Sequence, residues 1–241
     1  MTLRIAMWSG PRNISTAMMR SWENRPDCSV VDEPFYAAYL ADTGLAHPCR
    51  EQILLSQSTD HKTVVAELTE QPVSSPVQYQ KQMTHHIPRG MNMAWCIGLK
   101  HCFLIRDPYE MLLSLSRKMP RPTLADTGLP QQVEIYEMVW NRTGVIPPVI
   151  DSRDVLLDPE GMLRLLCERL GVPFVPEMLS WPAGRRSTDG IWLEHWYADV
   201  EKSTRFQPYR PKTEPLPEHL IELHEQCKKP YRELYNHRIV T

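Results

Sequence analysis

Two short stretches collect residue types suited to holding an anion. In IAMWSGPRNISTAMMRSW, Ile5 to Trp22, an apolar run ends at Trp8 and Ser9-Gly10-Pro11 turns the chain. Arg12, Asn13, Ser15 and Thr16 then lead into a helical pattern bearing Met18, Met19 and Trp22. The first N–H groups of a helix lack intrahelical partners and carry partial positive charge, so they bind phosphate when hydroxyls and a cation stand beside them. A plain helix cap by Asn13 or Ser15, with Arg12 in solvent, accounts for the same residues, and for this stretch alone it is the favoured reading. The loop of ordinary ATPases and kinases, G-x-x-x-x-G-K-[ST], is not met, because Ile14 occupies the place of a glycine and the Gly-Lys-Ser/Thr is missing.

The second stretch, HCFLIRDPYEMLLSLSRK, His101 to Lys118, repeats the arrangement. Arg106 closes an apolar strand, Asp107-Pro108 turns the chain, and Ser114 lies two turns into a helix. A guanidinium at the carboxyl end of a strand can clamp an anion while the hydroxyl donates from the side. Pairing of Arg106 with Asp107 or another carboxylate is the alternative.

Proton-transfer candidates follow two further strands. VVDEPF, Val30 to Phe35, ends in Asp32 and Glu33, and a carboxylate at the end of a parallel strand faces the crevice where such sheets bind ligands. YQKQMTHHIP, Tyr79 to Pro88, offers Lys81, His85 and His86, and imidazole titrates near neutral pH. An exposed loop end at Asp32-Glu33 and a histidine pair satisfied by backbone carbonyls are the competing structural readings. Trp181, Trp192, Trp196 and Tyr197 crowd the last third and read as core.

The elements that must position these residues alternate between short runs rich in Val, Ile and Phe and longer stretches of helical period, which predicts an α/β fold with a parallel sheet. Strands are expected at Leu3–Trp8, Cys28–Val31, Val77–Lys81, Cys102–Ile105 and Val149–Ser152. Helices are expected to begin near Asn13, Cys49, His61, Tyr109, Gln131 and Pro159, with a last one over Pro217–Tyr235. Asp158-Pro159 opens one of them and Gly171 closes it. The 22 prolines punctuate loops, and no repeat or flexible linker divides the 241 residues, so a single domain over 1–241 is expected.

A net charge of −2 provides no global field for nucleic acid or an anionic membrane, so an anion site has to be local and the partner small. Six scattered cysteines form neither a zinc pattern nor a disulfide framework, and no long apolar segment or signal is visible; a cytoplasmic protein with reduced thiols is expected.

Together, PRNIST and IRDPYEMLLS resemble the sulfotransferase family, in which a strand-loop-helix and a downstream Arg…Ser pair bind 3′-phosphoadenosine 5′-phosphosulfate. VIDSRDVLLDPEGMLRLLCERLGVPF is similar to a late segment of that family, and IWLEHWYADVEKSTRF resembles the ending of a bacterial and plant sulfotransferase-like branch. The resemblance implies a P-loop NTPase-like fold with helices on both faces of the sheet. It implies a sulfuryl transfer to the hydroxyl of a small-molecule acceptor, without a metal. Arg12, Asn13, Ser15, Thr16, Arg106 and Ser114 would hold the donor, and Arg12 would offset charge on the leaving phosphate. Arg185, in GRRSTDG, would be placed to reach the 3′-phosphate. Glu33 resembles the base carboxylate of carbohydrate-type members and ranks ahead of His86 and His85, with Lys81 as a further catalytic candidate. The cytosolic branch has K-x-H after this strand, whereas Gln82-Met83 follow Lys81 here. A P-loop small-molecule kinase and a non-catalytic nucleotide-binding member are the rival readings.

Overall fold

The computed structural model describes residues 2–241. Five strands, β1 (Leu3–Ser9), β2 (Cys28–Asp32), β3 (Val77–Met83), β4 (Lys100–Ile105) and β5 (Val149–Asp151), form one sheet in the order β2-β3-β1-β4-β5. Every neighbouring pair is parallel. From β1 the chain winds out to β2 and returns through β3, then crosses to β4 on the other side. The reversal leaves a crevice at the carboxyl ends of β1, β3 and β4, the place where open α/β sheets bind ligands.

The helices are α1 (Ser15–Glu23), α2 (Tyr36–Thr43), α3 (Arg50–Ser56), α4 (His61–Thr69), α5 (Pro108–Leu115), α6 (Leu129–Thr143), α7 (Ser152–Leu157), α8 (Pro159–Leu170), α9 (Leu193–Trp196), α10 (Ala198–Glu201) and α11 (Ile221–Tyr235). Alternation along β1 explains why both faces are covered. Ile5 and Met7 pack with Met18, Met19 and Trp22 of α1 and Met162, Leu163 and Leu166 of α8. Ala6 and Trp8 face the other way, with Val64 and Leu68 of α4, Ile135 and Val139 of α6 and Leu234 of α11. The fold is P-loop NTPase-like, as expected, with strand and helix ends shifted by a few residues; α1 starts at Ser15 rather than Asn13.

Asp107 caps α5, accepting from Tyr109 N at 2.9 Å, with Pro108 at the first helical position. That cap fixes where the strand stops and so sets Arg106 at its edge. Asn13 Nδ2 donates to Leu104 O at 3.2 Å, which ties the loop after β1 to β4. Gly10 and Gly128 touch, for a Cβ on Gly10 would come within 2.4 Å of Thr127 O and one on Gly128 within 3.6 Å of Gly10 Cα. Among the described residues no helix is long and apolar enough to cross a membrane.

Candidate active site

A cavity of about 830 Å³ opens at the crevice and receives both strand-loop-helix junctions. In the first loop Arg12 and Ile14 stand in the left-handed region at φ 61° and 59°, on either side of Asn13. Left-handed residues alternating with ordinary ones turn successive N–H groups toward one concavity, which attracts anions. A β-branched residue pays a steric penalty there that glycine does not. Ile14 occupies the glycine's place with the glycine's backbone.

The two junctions are joined through side chains. Arg12 Nε donates to Ser114 Oγ at 2.9 Å, Arg12 Nη1 to Trp196 O at 3.4 Å, and Arg106 Nη1 to Arg12 O at 2.8 Å. Arg106 also pairs with Glu110 Oε2 at 3.1 Å, so the carboxylate it meets is Glu110, while Asp107 serves the helix cap. Burial lowers the Arg12 guanidinium from the usual arginine range, as do Arg106 and Arg117 nearby, against Asp199, which raises it. Arg12, Asn13, Ser15, Thr16, Arg106 and Ser114 all line the cavity, and Arg117, Lys118, Arg121, Arg205 and Lys212 add to its positive charge.

Glu33 lines the cavity on another side, with Asp32 beside it outside the lining. β2 and β3 pair in a register that sets Asp32 beside Lys81, and Glu33 follows at φ 44°, its N–H on Lys81 O at 3.0 Å and its carbonyl accepting from Gln57 Nε2 at 3.2 Å. A non-glycine residue held left-handed by bonds on both sides is the kind of strained position that clusters at active sites. Lys81 Nζ, 1% exposed, donates to Asp32 Oδ1 at 2.9 Å, to Glu33 Oε1 at 2.6 Å and to the Tyr197 hydroxyl. Three partners use all three of its N–H groups. Lys81, expected among the catalytic residues, thus has no donor left for a substrate and acts on Glu33 instead.

Burial raises the Glu33 carboxyl above the usual range; Lys81 opposes this and Asp32 adds to it. Burial works against the charge on Lys81, but Asp32 and Glu33 outweigh it and hold the ammonium above its ordinary range. Glu33 Oε2 lies 4.0 Å from His86 Nδ1, beyond hydrogen-bond reach.

His86 is 2% exposed and stacks between Tyr36 and Tyr39, at 4.4 Å and 4.8 Å between ring centres. Its Nδ1 and that of His85 are buried without a partner, so the backbone-satisfied histidine pair anticipated as the structural reading is not what forms at these atoms. Burial pushes His86 well below the usual histidine range and His85 down to about 4, which leaves both imidazoles neutral at pH 7. Glu33, His85 and His86 all face the cavity.

Arg185 lies apart. Its guanidinium is surface-exposed, held by Glu194 at 3.1 Å and Glu201 at 3.2 Å, and does not line the cavity. The loop around it docks elsewhere: Arg20 Nη2 donates to Asp189 Oδ2 at 2.7 Å and Arg186 meets Glu23 at 3.0 Å, drawing the segment onto α1. The cavity's late cations are Arg205 and Lys212. Tyr197, expected in the core, is buried beside Tyr36 and Trp192. Its hydroxyl, fixed by Trp192 Nε1 at 3.0 Å, bonds Asp32 Oδ2 at 2.8 Å beside the cavity.

Two curated relatives from Arabidopsis thaliana are named branched-chain-amino-acid aminotransferase-like protein 2 and protein 1; each is 36% identical, over 97% and 88% of this chain respectively. The matches take up 41% and 38% of those proteins, so the chain spans about two-fifths of their length. Among solved structures, a sulfotransferase from Alicyclobacillus acidocaldarius aligns over the whole chain and 98% of its own, with TM-score 0.57 and 15% identity. The sulfotransferase domain of the Synechococcus PCC 7002 olefin synthase covers 93% of this chain and 94% of its own, with TM-score 0.55 and 18% identity. These likenesses carry the fold alone. The family model described as a sulfotransferase domain matches residues 3–231, a span that contains both strand-loop-helix junctions and the Glu33 cluster, and the chain therefore belongs to the sulfotransferase domain family.

Proposed function

We propose that this chain transfers a sulfuryl group from 3′-phosphoadenosine 5′-phosphosulfate to a hydroxyl of a small-molecule acceptor. The observation that carries the reading is one cavity whose cationic half, built on Arg12, Arg106 and Ser114, adjoins the buried Glu33 carboxylate. Its volume lies within the range of small-molecule sites. The left-handed Arg12 and Ile14 backbone and the surrounding cations suit a polyanionic nucleotide.

Arg12, Ser15, Thr16 and the first N–H groups of α1 would hold the 5′ end, with Arg106 and Ser114 toward the 3′-phosphate. The donor supplies an activated sulfur; the acceptor oxygen bonds to it as the bridging bond to the 5′-phosphate breaks. Glu33 Oε2 takes the acceptor's proton. A carboxylate whose proton affinity is raised by burial is a stronger base than one in water. Arg12 offsets the charge that develops on the leaving phosphate.

A thermal-shift panel with adenosine 3′,5′-bisphosphate, AMP, and ATP with and without Mg²⁺ tests donor binding before any acceptor is known. The bisphosphate is expected to raise the melting temperature most, since a ligand at about 100 times its Kd stabilises by about 2.7 kcal/mol. A larger response to ATP with Mg²⁺ would favour a kinase. Binding without turnover over a broad acceptor set would favour a non-catalytic member.

A further inference from the structure

We propose that Asp32 is a positioning residue of the transfer site: by dividing the Lys81 ammonium with Glu33, it prevents that cation from neutralising the base and leaves Glu33 Oε2 able to take a proton. This rests on the transfer reading above and assigns a task to residues outside the contacts with donor and acceptor.

The arrangement is two carboxylates around one ammonium. Lys81 Nζ is 2.9 Å from Asp32 Oδ1 and 2.6 Å from Glu33 Oε1, with all three side chains buried. With Glu33 as its sole partner, Lys81 would form a closed one-to-one pair, and an opposite charge this close favours the ionised carboxylate and weakens it as a base. Asp32 supplies a second negative charge that pulls the other way. Its position is fixed from outside the pair. Asp32 Oδ2 accepts from Gly190 N at 3.1 Å and from the Tyr197 hydroxyl at 2.8 Å, and that phenol is held in turn by Trp192 Nε1. Burial, then Asp32 and Glu33, raise the Tyr197 phenol well above its ordinary range, so it stays a neutral donor. The remaining groups facing Glu33 are neutral: His86 from the turn after β3 and Tyr36 from α2.

The test is an NMR titration of the full chain labelled at the glutamate carboxyl carbons, with the Glu33 signal assigned by its loss in Glu33→Gln. No acceptor is needed. Asp32→Asn should move the Glu33 midpoint to lower pH, since Lys81 then faces Glu33 alone, and Lys81→Met should move it to higher pH. A purely structural role for Asp32 gives no such opposed pair of shifts. If Asp32→Asn does not fold, Asp32→Ala carries the same expected direction, and Lys81→Met gives the opposite limb by itself. A Glu33 midpoint unmoved by these substitutions, or moved the same way by both, overturns the proposal. Calorimetry with adenosine 3′,5′-bisphosphate on the wild-type chain separates the two failures. Absent binding removes the transfer reading, whereas binding with an unmoved midpoint removes only the role of Asp32.

Discussion

Arg12 Nε and Ser114 Oγ lie 2.9 Å apart although 102 positions separate them in the chain, and that contact joins the loop after β1 to the helix after β4 in one wall of the cavity. The two motifs therefore form one continuous surface, in which Ser114 holds the Arg12 guanidinium and Arg106 donates to the carbonyl of the same residue.

Adenosine 3′,5′-bisphosphate is expected to bind more tightly than AMP, and Arg106→Ala to remove most of that difference. Hydrogen bonds to charged groups contribute about 1.5–3 kcal/mol, so the loss should be roughly tenfold or more in Kd. Ser114→Ala should weaken both nucleotides less than Arg106→Ala weakens the bisphosphate. Isothermal calorimetry on the two variants gives the comparison; equal affinity of the wild type for the two nucleotides contradicts the expectation.

Glu33→Gln is expected to lower turnover by ~10²- to 10⁴-fold while leaving bisphosphate affinity near wild type. The amide keeps the shape and loses the proton site. His86→Asn should cost far less, because a buried imidazole held neutral is a weak base. Release of bisphosphate with an acceptor found by screening hydroxyl compounds measures both. A larger loss at His86 than at Glu33 would transfer the base to the imidazole.

The backbone of Ile14 can be isolated from its packing by comparing Ile14→Ala with Ile14→Gly. Both remove the side chain, and only glycine relieves the left-handed strain at φ 59°. The glycine variant should be the more stable of the two by about 1 kcal/mol in urea unfolding. An alanine variant as stable as the glycine one would mean the loop relaxes out of this conformation.

Asp151 supplies a pH-dependent term. Burial raises its carboxyl to about 6, although Arg153 N and Tyr231 Oη both donate to it. A group raised in the folded state favours folding fully below its unfolded value, about 3.9, and loses that contribution as pH climbs through the folded value. The loss is about 3 kcal/mol. Asp151→Asn should thus raise the melting temperature at pH 8, and the advantage should vanish near pH 4. An equal effect at both pH values would show that Asp151 is not protonated in the fold near neutrality.

The parts of the chain legible beforehand were those whose structure is local. β1 and β4 revealed themselves as apolar runs because they are buried on both faces of a parallel sheet, whereas β3, VQYQKQM, is buried throughout although polar residues alternate along it. α2 was missed because it has two turns whose Tyr36, Ala37 and Ala38 are buried in succession, leaving no amphipathic period to read. Arg12, Arg106 and Ser114 were legible as residue types at a spacing, and their contact is long-range. Asp32 against Lys81 depends on strand register, and Tyr197 on an irregular segment anchored by Asp189 and Arg20. Neither register nor such anchoring leaves a periodic trace.

The backbone contact between Gly10 and Gly128 determines where this site can drift over evolutionary time. A methyl group at Gly10 would press on Thr127 O and one at Gly128 on Thr84 Oγ1, so substitutions at this floor of the cavity would be purged for their effect on folding. Residue 14 does carry a side chain, and Ile14 packs against the core cluster that holds Met18 and Trp22 of α1. Change in the loop is thereby steered away from Gly10, while any side chain at residue 14 carries the strain of its left-handed φ of 59°.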